Sequence, residues 1–88
     1  MQTPETNDDT LALRALVWTL DDPNRAMRLL DLTGLDPQSL RTSAGSPATL
    51  AAALQFLENH EADLIACADA IGCTPADLVR ARERLDRA

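Results

Sequence analysis

The one histidine of the chain, His60, lies in the acidic segment ENHEAD at residues 58–63. Glu58, Glu61 and Asp63 beside it are the residue types of a divalent-metal cluster, or of a general base with carboxylate partners. The same segment spans an expected boundary between two helices, where polar residues are common and acids in a first turn favour the helix dipole. We interpret it as such a boundary, and predict no metal site, no cofactor and no catalytic residue.

The sequence also lacks the motifs of other kinds of catalysis. No Cys-His, Ser-His-Asp, HExxH, P-loop or GxGxxG arrangement occurs in the 88 residues. The chain has no lysine and no tyrosine, so acid–base chemistry near neutral pH has almost no donor besides His60. We therefore predict that the protein is not an enzyme.

Cys67 and Cys73 are the two cysteines. Their gap of five residues, without a second thiol pair, matches no zinc pattern. A Schellman stop at Gly72 would place Cys73 against Cys67 and Ala68. Two interpretations follow: small apolar residues that fill a tight turn, or a redox pair forming a reversible disulfide.

The polar, acidic N-terminus is unlike a signal peptide, so we expect a cytoplasmic location and reduced thiols.

Residues 61–88 have the spacing of a helix-turn-helix, with small Ala68 four residues before Gly72 and apolar residues flanking that glycine. Acting on DNA, the last helix would use Thr74, Arg80, Arg84 and Arg87 as contact residues. However, Asp77 and Glu83 have the spacing that neutralises arginines on a solvated helix face. The net charge of −6 also repels phosphate. Nucleic acid is thus a disfavoured partner, and a DNA-binding regulator is the alternative function.

The elements that would position these residues are helices. Leu and Ala supply 30 of the 88 residues, and residues that favour strands are scarce. No apolar run approaches the roughly 18 residues that span a bilayer, so we expect no membrane segment. The composition predicts an all-α fold: a compact bundle of five to six short helices, with a disordered tail at 1–9 and one helical domain at 10–88.

Proline and glycine mark the helix ends. Each of the five prolines follows a residue that can cap a helix N-terminus, as in Asp36-Pro37 and Thr74-Pro75. Gly34, Gly45 and Gly72 are expected to end helices in the left-handed conformation. The predicted helices are 10–20, 23–33, 37–44, 47–59, 61–71 and 75–86.

Apolar spacing then predicts which helix faces are buried. The expected core stripes are Leu13, Leu16, Val17 and Leu20; Leu50, Ala53, Leu54 and Leu57; Leu64, Ala68 and Ile71; and Leu78, Ala81 and Leu85.

The segments TGLDPQSLR and IGCTPADLVR share one pattern and superpose Gly34 on Gly72. The same register places Trp18 on Phe56, which indicates two pseudo-repeated halves, 10–45 and 46–88, or two unrelated uses of one turn. If the halves are real, they should face each other with Trp18 and Phe56 near the centre.

The segments LALRALVWTL, LLDLTGLDPQSLR, SPATLAAALQFLENHEADLIACA and PADLVRARERL resemble a family of short, mostly alphaproteobacterial proteins, domain of unknown function 3572. The resemblance covers roughly residues 11–85. Its most specific parts are the TGLDP turn with Leu40-Arg41 and the LQFLENHE stretch, whereas Thr49 and Cys67 stand where a larger apolar or aromatic residue is expected. The resemblance implies a small cytoplasmic helical domain, and supplies no activity.

By elimination, the sequence favours a non-enzymatic protein–protein interaction module that binds an unknown protein or forms a homo-oligomer. A core this small would gain from association that buries more surface. Apolar residues outside the predicted stripes are the candidate contact residues: Leu11, Leu32 and Phe56.

Overall fold

Six helices joined by short turns make up residues 8–87, the part of the chain that this computed structural model describes. They are α1 (Asp8–Leu20), α2 (Pro23–Thr33), α3 (Pro37–Thr42), α4 (Pro47–Glu58), α5 (Glu61–Ile71) and α6 (Pro75–Asp86). No strand occurs between residues 8 and 87, so the all-α prediction is confirmed. None of the helices in that range has the length and hydrophobicity to cross a bilayer.

The observed helix bounds are close to the predicted ones. α2, α5 and α6 match at both ends, whereas α3 and α4 end two residues and one residue before their predicted ends. Each of α2, α3, α4 and α6 begins at its predicted proline. α1 begins at Asp8, two residues before the predicted start, so the predicted disordered tail overlaps the helix at 8–9 and otherwise lies outside the described residues.

Three of the helix starts are capped by a side chain, as predicted. The caps are Asp22 accepting from the Arg25 backbone N–H at 3.0 Å, Asp36 accepting from Ser39 at 2.7 Å, and Thr74 accepting from Asp77 at 3.1 Å. The Asp77 carboxylate in turn accepts from the Thr74 backbone N–H at 3.0 Å, which completes a capping box. Ser46 precedes α4 without forming such a bond, so the prediction of a side-chain cap there is wrong.

Two of the three glycines end helices in the left-handed conformation. Gly34 has φ of 74° and Gly72 has φ of 82°, and a side chain in that region would cost on the order of 1 kcal/mol. Gly45 does not have positive φ, so that prediction is wrong. The reason is that α3 ends earlier, where the Ser43 backbone N–H donates to the Ser39 carbonyl at 3.0 Å.

The core is centred on α4, against which α1 and α6 both pack extensively while also contacting each other. α4 buries residues on most of its circumference, namely Leu50, Ala51, Ala53, Leu54, Phe56 and Leu57. A helix that is buried over so much of its circumference must lie inside the bundle. The predicted stripes of α4, α5 and α6 are all buried.

α1 presents a different face to the core from the predicted one. Its buried residues are Ala12, Ala15, Leu16 and Thr19. Three members of the predicted stripe are instead exposed: Leu13 by 44%, Val17 by 60% and Leu20 by 39%. Both sets have helical spacing, and the alanines allow α1 to approach its neighbours more closely than leucines would. The prediction for α1 is therefore wrong apart from Leu16.

Trp18 and Phe56 do not both lie at the centre of the core, although the two-half repeat predicts it. Phe56 is fully buried, as a central residue should be, whereas Trp18 is only partly buried at the edge of the core. The Arg25 guanidinium lies 3.6 Å from the Trp18 ring centroid and donates from Nη2 to the Trp18 carbonyl at 2.8 Å. This stacked cation covers the indole ring. The predicted central place of Trp18 is wrong, and the two-half repeat stays a prediction.

Leu54→Ala, compared with Leu13→Ala, tests this arrangement of the core. Leu54 is fully buried, so its truncation should lower the free energy of unfolding by about 2–5 kcal/mol. Leu13 belongs to the exposed face, so its truncation should cost less than about 1 kcal/mol. Urea denaturation followed by circular dichroism measures both, and equal losses would contradict the orientation of α1.

Candidate functional site

The exposed apolar residues of α1 form one wall of a groove. Leu13, Val17 and Leu20 recur at intervals of four and three residues, so they lie on one side of the helix. Three of the six exposed large hydrophobic residues between positions 8 and 87 belong to this one helix. We call this set the α1 stripe.

α2 and α3 complete the groove. Ala26 and Leu30 come from α2, and Pro37, Leu40 and Arg41 come from α3. The cavity they enclose with the α1 stripe has a volume of about 360 Å³ and an almost wholly apolar lining, in which Arg41 is the one charged residue. We call it the α1–α3 groove. α3 packs extensively on no other helix and is anchored by buried Leu40.

The predicted contact residues lie elsewhere. Phe56 is fully buried, so its assignment to an exposed contact surface is wrong: its position in α4 points it into the core. Leu11 is half-buried against the core at the opposite flank of α1. Leu32 is exposed on α2 and lines no part of the α1–α3 groove. The structure therefore does not bring the three predicted residues together on one exposed surface.

The predicted DNA-contacting residues of α6 are largely engaged with acids. Arg80 forms an ion pair with Asp77, as its spacing predicts, and Arg84 Nη1 lies 3.2 Å from the Asp8 carboxylate at the start of α1. The Thr74 hydroxyl is occupied as the α6 cap, and hydrogen bonds from Thr74 hold the pKa of Asp77 below its usual value. Arg87 is exposed at the α6 C-terminus. Two of the three arginines are thus neutralised.

Arg82, the remaining arginine of α6, joins that helix to α4. Its Nε and Nη2 donate to the two carboxylate oxygens of Glu58 at 2.7 and 3.0 Å, and its Nη1 donates to Asp86 at 2.9 Å. These bonds raise the pKa of Arg82. A bidentate ion pair of this kind fixes the relative orientation of the two side chains as well as their distance, so Arg82 has a structural role and is not available to a ligand.

The cysteines lie at the end of α5, where the predicted stop is formed. The Cys73 backbone N–H donates to the Ala68 carbonyl at 2.9 Å, which is the long-range bond of a Schellman motif. Both thiols are free, and Cys67 is buried. Burial raises the pKa of Cys67 to about 12, and burial together with Asp77 raises the pKa of Cys73. Because thiolate is the reactive form, these values favour packing residues, and the redox pair stays a hypothesis.

The ENHEAD segment forms the turn between α4 and α5. His60 Nδ1 lies 2.8 Å from the Phe56 carbonyl oxygen, to which it must donate its proton. Glu58 is engaged by Arg82, and Asp63 lies 3.5 Å from Arg28 of α2. Within residues 8–87, no group of three histidine, cysteine or acidic residues has an arrangement that could hold a metal ion.

A family model described as "Protein of unknown function (DUF3572)" matches residues 5–88. The chain belongs to the DUF3572 family. No curated protein and no solved structure matches it. The description of the family names no activity.

Stability at alkaline pH tests the burial of Cys67 in this DUF3572 protein. The unfolded chain releases the thiol proton near pH 9.0, whereas the folded state retains it to about 12. The stabilisation is therefore complete below pH 9.0 and is lost as pH rises toward 12, at up to about 1.4 kcal/mol per pH unit. Few other groups titrate there, because the chain lacks lysine and tyrosine.

Urea denaturation between pH 8 and 10.5 under reducing conditions measures this loss. Cys67→Ala should show a flatter dependence on pH, whatever its stability at pH 7. The same slope in the variant and the natural protein would show that Cys67 titrates normally in the folded state.

DNA binding by the DUF3572 protein is tested directly by fluorescence anisotropy with mixed-sequence duplex. We expect no change in anisotropy even at low salt, where phosphate attraction is strongest. A saturable rise that Arg84→Ala and Arg87→Ala reduce would instead establish the helix-turn-helix alternative.

Proposed function

We propose that the protein is a non-enzymatic association module that binds a protein through the α1–α3 groove. The observation that carries this proposal is the orientation of α1, which places alanines in the core and Leu13, Val17 and Leu20 outside it. A cluster of large apolar side chains exposed beside a groove is typical of a binding surface.

The chemical character of the groove supports the same proposal. Interface centres are depleted in charged residues, with arginine as the common exception, and Arg41 is the one charged residue that lines this groove. The lining offers no nucleophile and no general base, which supports the non-enzymatic part of the proposal. A cytoplasmic location belongs to the proposal as well, since the thiols of Cys67 and Cys73 are free and a reducing compartment keeps them so.

The DNA-binding alternative has weaker support. A recognition helix needs arginines that are free to reach bases and phosphates, yet Arg80 and Arg84 pair with Asp77 and Asp8. Binding would have to break these pairs in a chain whose net charge is −6. The protein-binding groove requires no such rearrangement.

Photo-crosslinking in living cells tests the proposal. The photoreactive residue p-benzoylphenylalanine, placed at Val17, should yield a crosslinked protein product, because Val17 is the most exposed member of the α1 stripe. The same residue at exposed Ala70 of α5 is the matched control and should yield none. Circular dichroism checks that both variants are folded. A Val17 product no stronger than the Ala70 product would overturn the proposal.

A further inference from the structure

Two oppositely charged residues flank the α1 stripe on the same side. Arg14 lies in α1 and Asp21 is the residue that follows its last one, Leu20. They are seven residues apart, so the helical spacing of 100° per residue, continued to Asp21, separates them by about 20°. Both side chains are exposed. Neither forms an ion pair with any residue in the 8–87 range.

We propose that the occupant of this surface is α1 of a second copy of the chain, antiparallel to the first; this inference rests on the function proposed above. A two-fold axis beside Val17 packs the two α1 stripes together. Arg14 of each copy then faces Asp21 of the other, and the homodimer contains two symmetric ion pairs.

The position of the charges selects the antiparallel arrangement. The midpoint between Arg14 and Asp21 falls next to Val17, the most exposed residue of the stripe. A two-fold axis there also places Leu13 of one copy near Leu20 of the other. In a parallel two-fold pair, this flank of one copy and the same flank of the other lie on opposite sides of the interface, so Arg14 does not face Asp21 and the ion pairs do not form. A two-fold interface must be complementary to itself, and this one is.

The size of the surface sets the expected affinity. A standard stable interface uses about 20–30 residues from each partner, whereas α1 has 13 residues and offers one side of them. Each copy also has a net charge of −6, which opposes association, although salt at 0.15 M screens charges beyond roughly 8 Å. We therefore expect a reversible dimer with a dissociation constant of about micromolar or weaker.

Charge reversal tests the arrangement by sedimentation equilibrium. Arg14→Asp places acids opposite acids at both pairs, and Asp21→Arg places arginines opposite arginines. Each variant alone should dimerise about tenfold more weakly than the natural protein. An equimolar mixture of the two should recover dimerisation, because the mixed dimer restores an opposite-charge pair at both positions.

Matched controls separate this effect from net charge. Arg87→Asp, just after the end of α6, and Asp69→Arg, on α5, make the same changes in charge at exposed positions. We expect both to dimerise within about threefold of the natural protein, with no gain on mixing. Circular dichroism checks that all four variants are folded.

The possible results divide clearly. The homodimer is overturned if the natural protein stays monomeric at millimolar concentration. It is also overturned if mixing Arg14→Asp with Asp21→Arg does not recover dimerisation, or if mixing the two control variants does recover it. A Val17 crosslink of twice 9.5 kDa supports the inference. A crosslinked product of another mass, with a monomeric natural protein, overturns the second copy and retains the proposed function.

Discussion

The need to cover α4 determines the rest of the structure. The six buried residues of α4 extend over about 220° of its circumference, roughly twice the stripe of an ordinary amphipathic helix. No single neighbour can cover so wide a surface. α1 and α6 pack on it most extensively, while α2 and α5 contact it less. Arg82 and Glu58 fix the angle between α4 and α6. α1, α2, α5 and α6 are stabilised because α4 gives each of them an apolar surface to pack on.

The place of α1 in this arrangement links the core to the candidate site. α1 contacts α4, α5 and α6 together. Because these three helices surround its inner face, α1 must place small residues on that face. Ala12 and Ala15 meet that requirement, with Leu16 filling the remaining space. Leu13, Val17 and Leu20 are left outside as a consequence of the same fit. The α1 stripe is thus exposed because the alanine face of α1 is the one that packs in the core.

Local chemistry made much of the fold predictable, and tertiary packing accounts for most of what was missed. The caps at Asp22, Asp36 and Thr74 and the stops at Gly34 and Gly72 depend on neighbours within a few residues. The face of α1 depends on partners distant in sequence, since its two faces have the same 3.6-residue spacing. Large side chains suggested one face and close packing selected the other. The groove could not be predicted because its wall was assigned to the core.

The ion pairs also divide into local ones, which the sequence predicts, and long-range ones, which depend on tertiary packing. The Asp77–Arg80 pair is local and was predictable from its spacing, whereas Arg84 pairs with Asp8, 76 residues away. That second pair exists because α1 and α6 lie side by side on α4. Turning α1 by roughly 120° would bury the α1 stripe, but its larger side chains would push α1 away from α4 and α6 and would separate Asp8 from Arg84. The orientation that exposes the stripe and leaves Arg14 and Asp21 unpaired is therefore the one that closes the core.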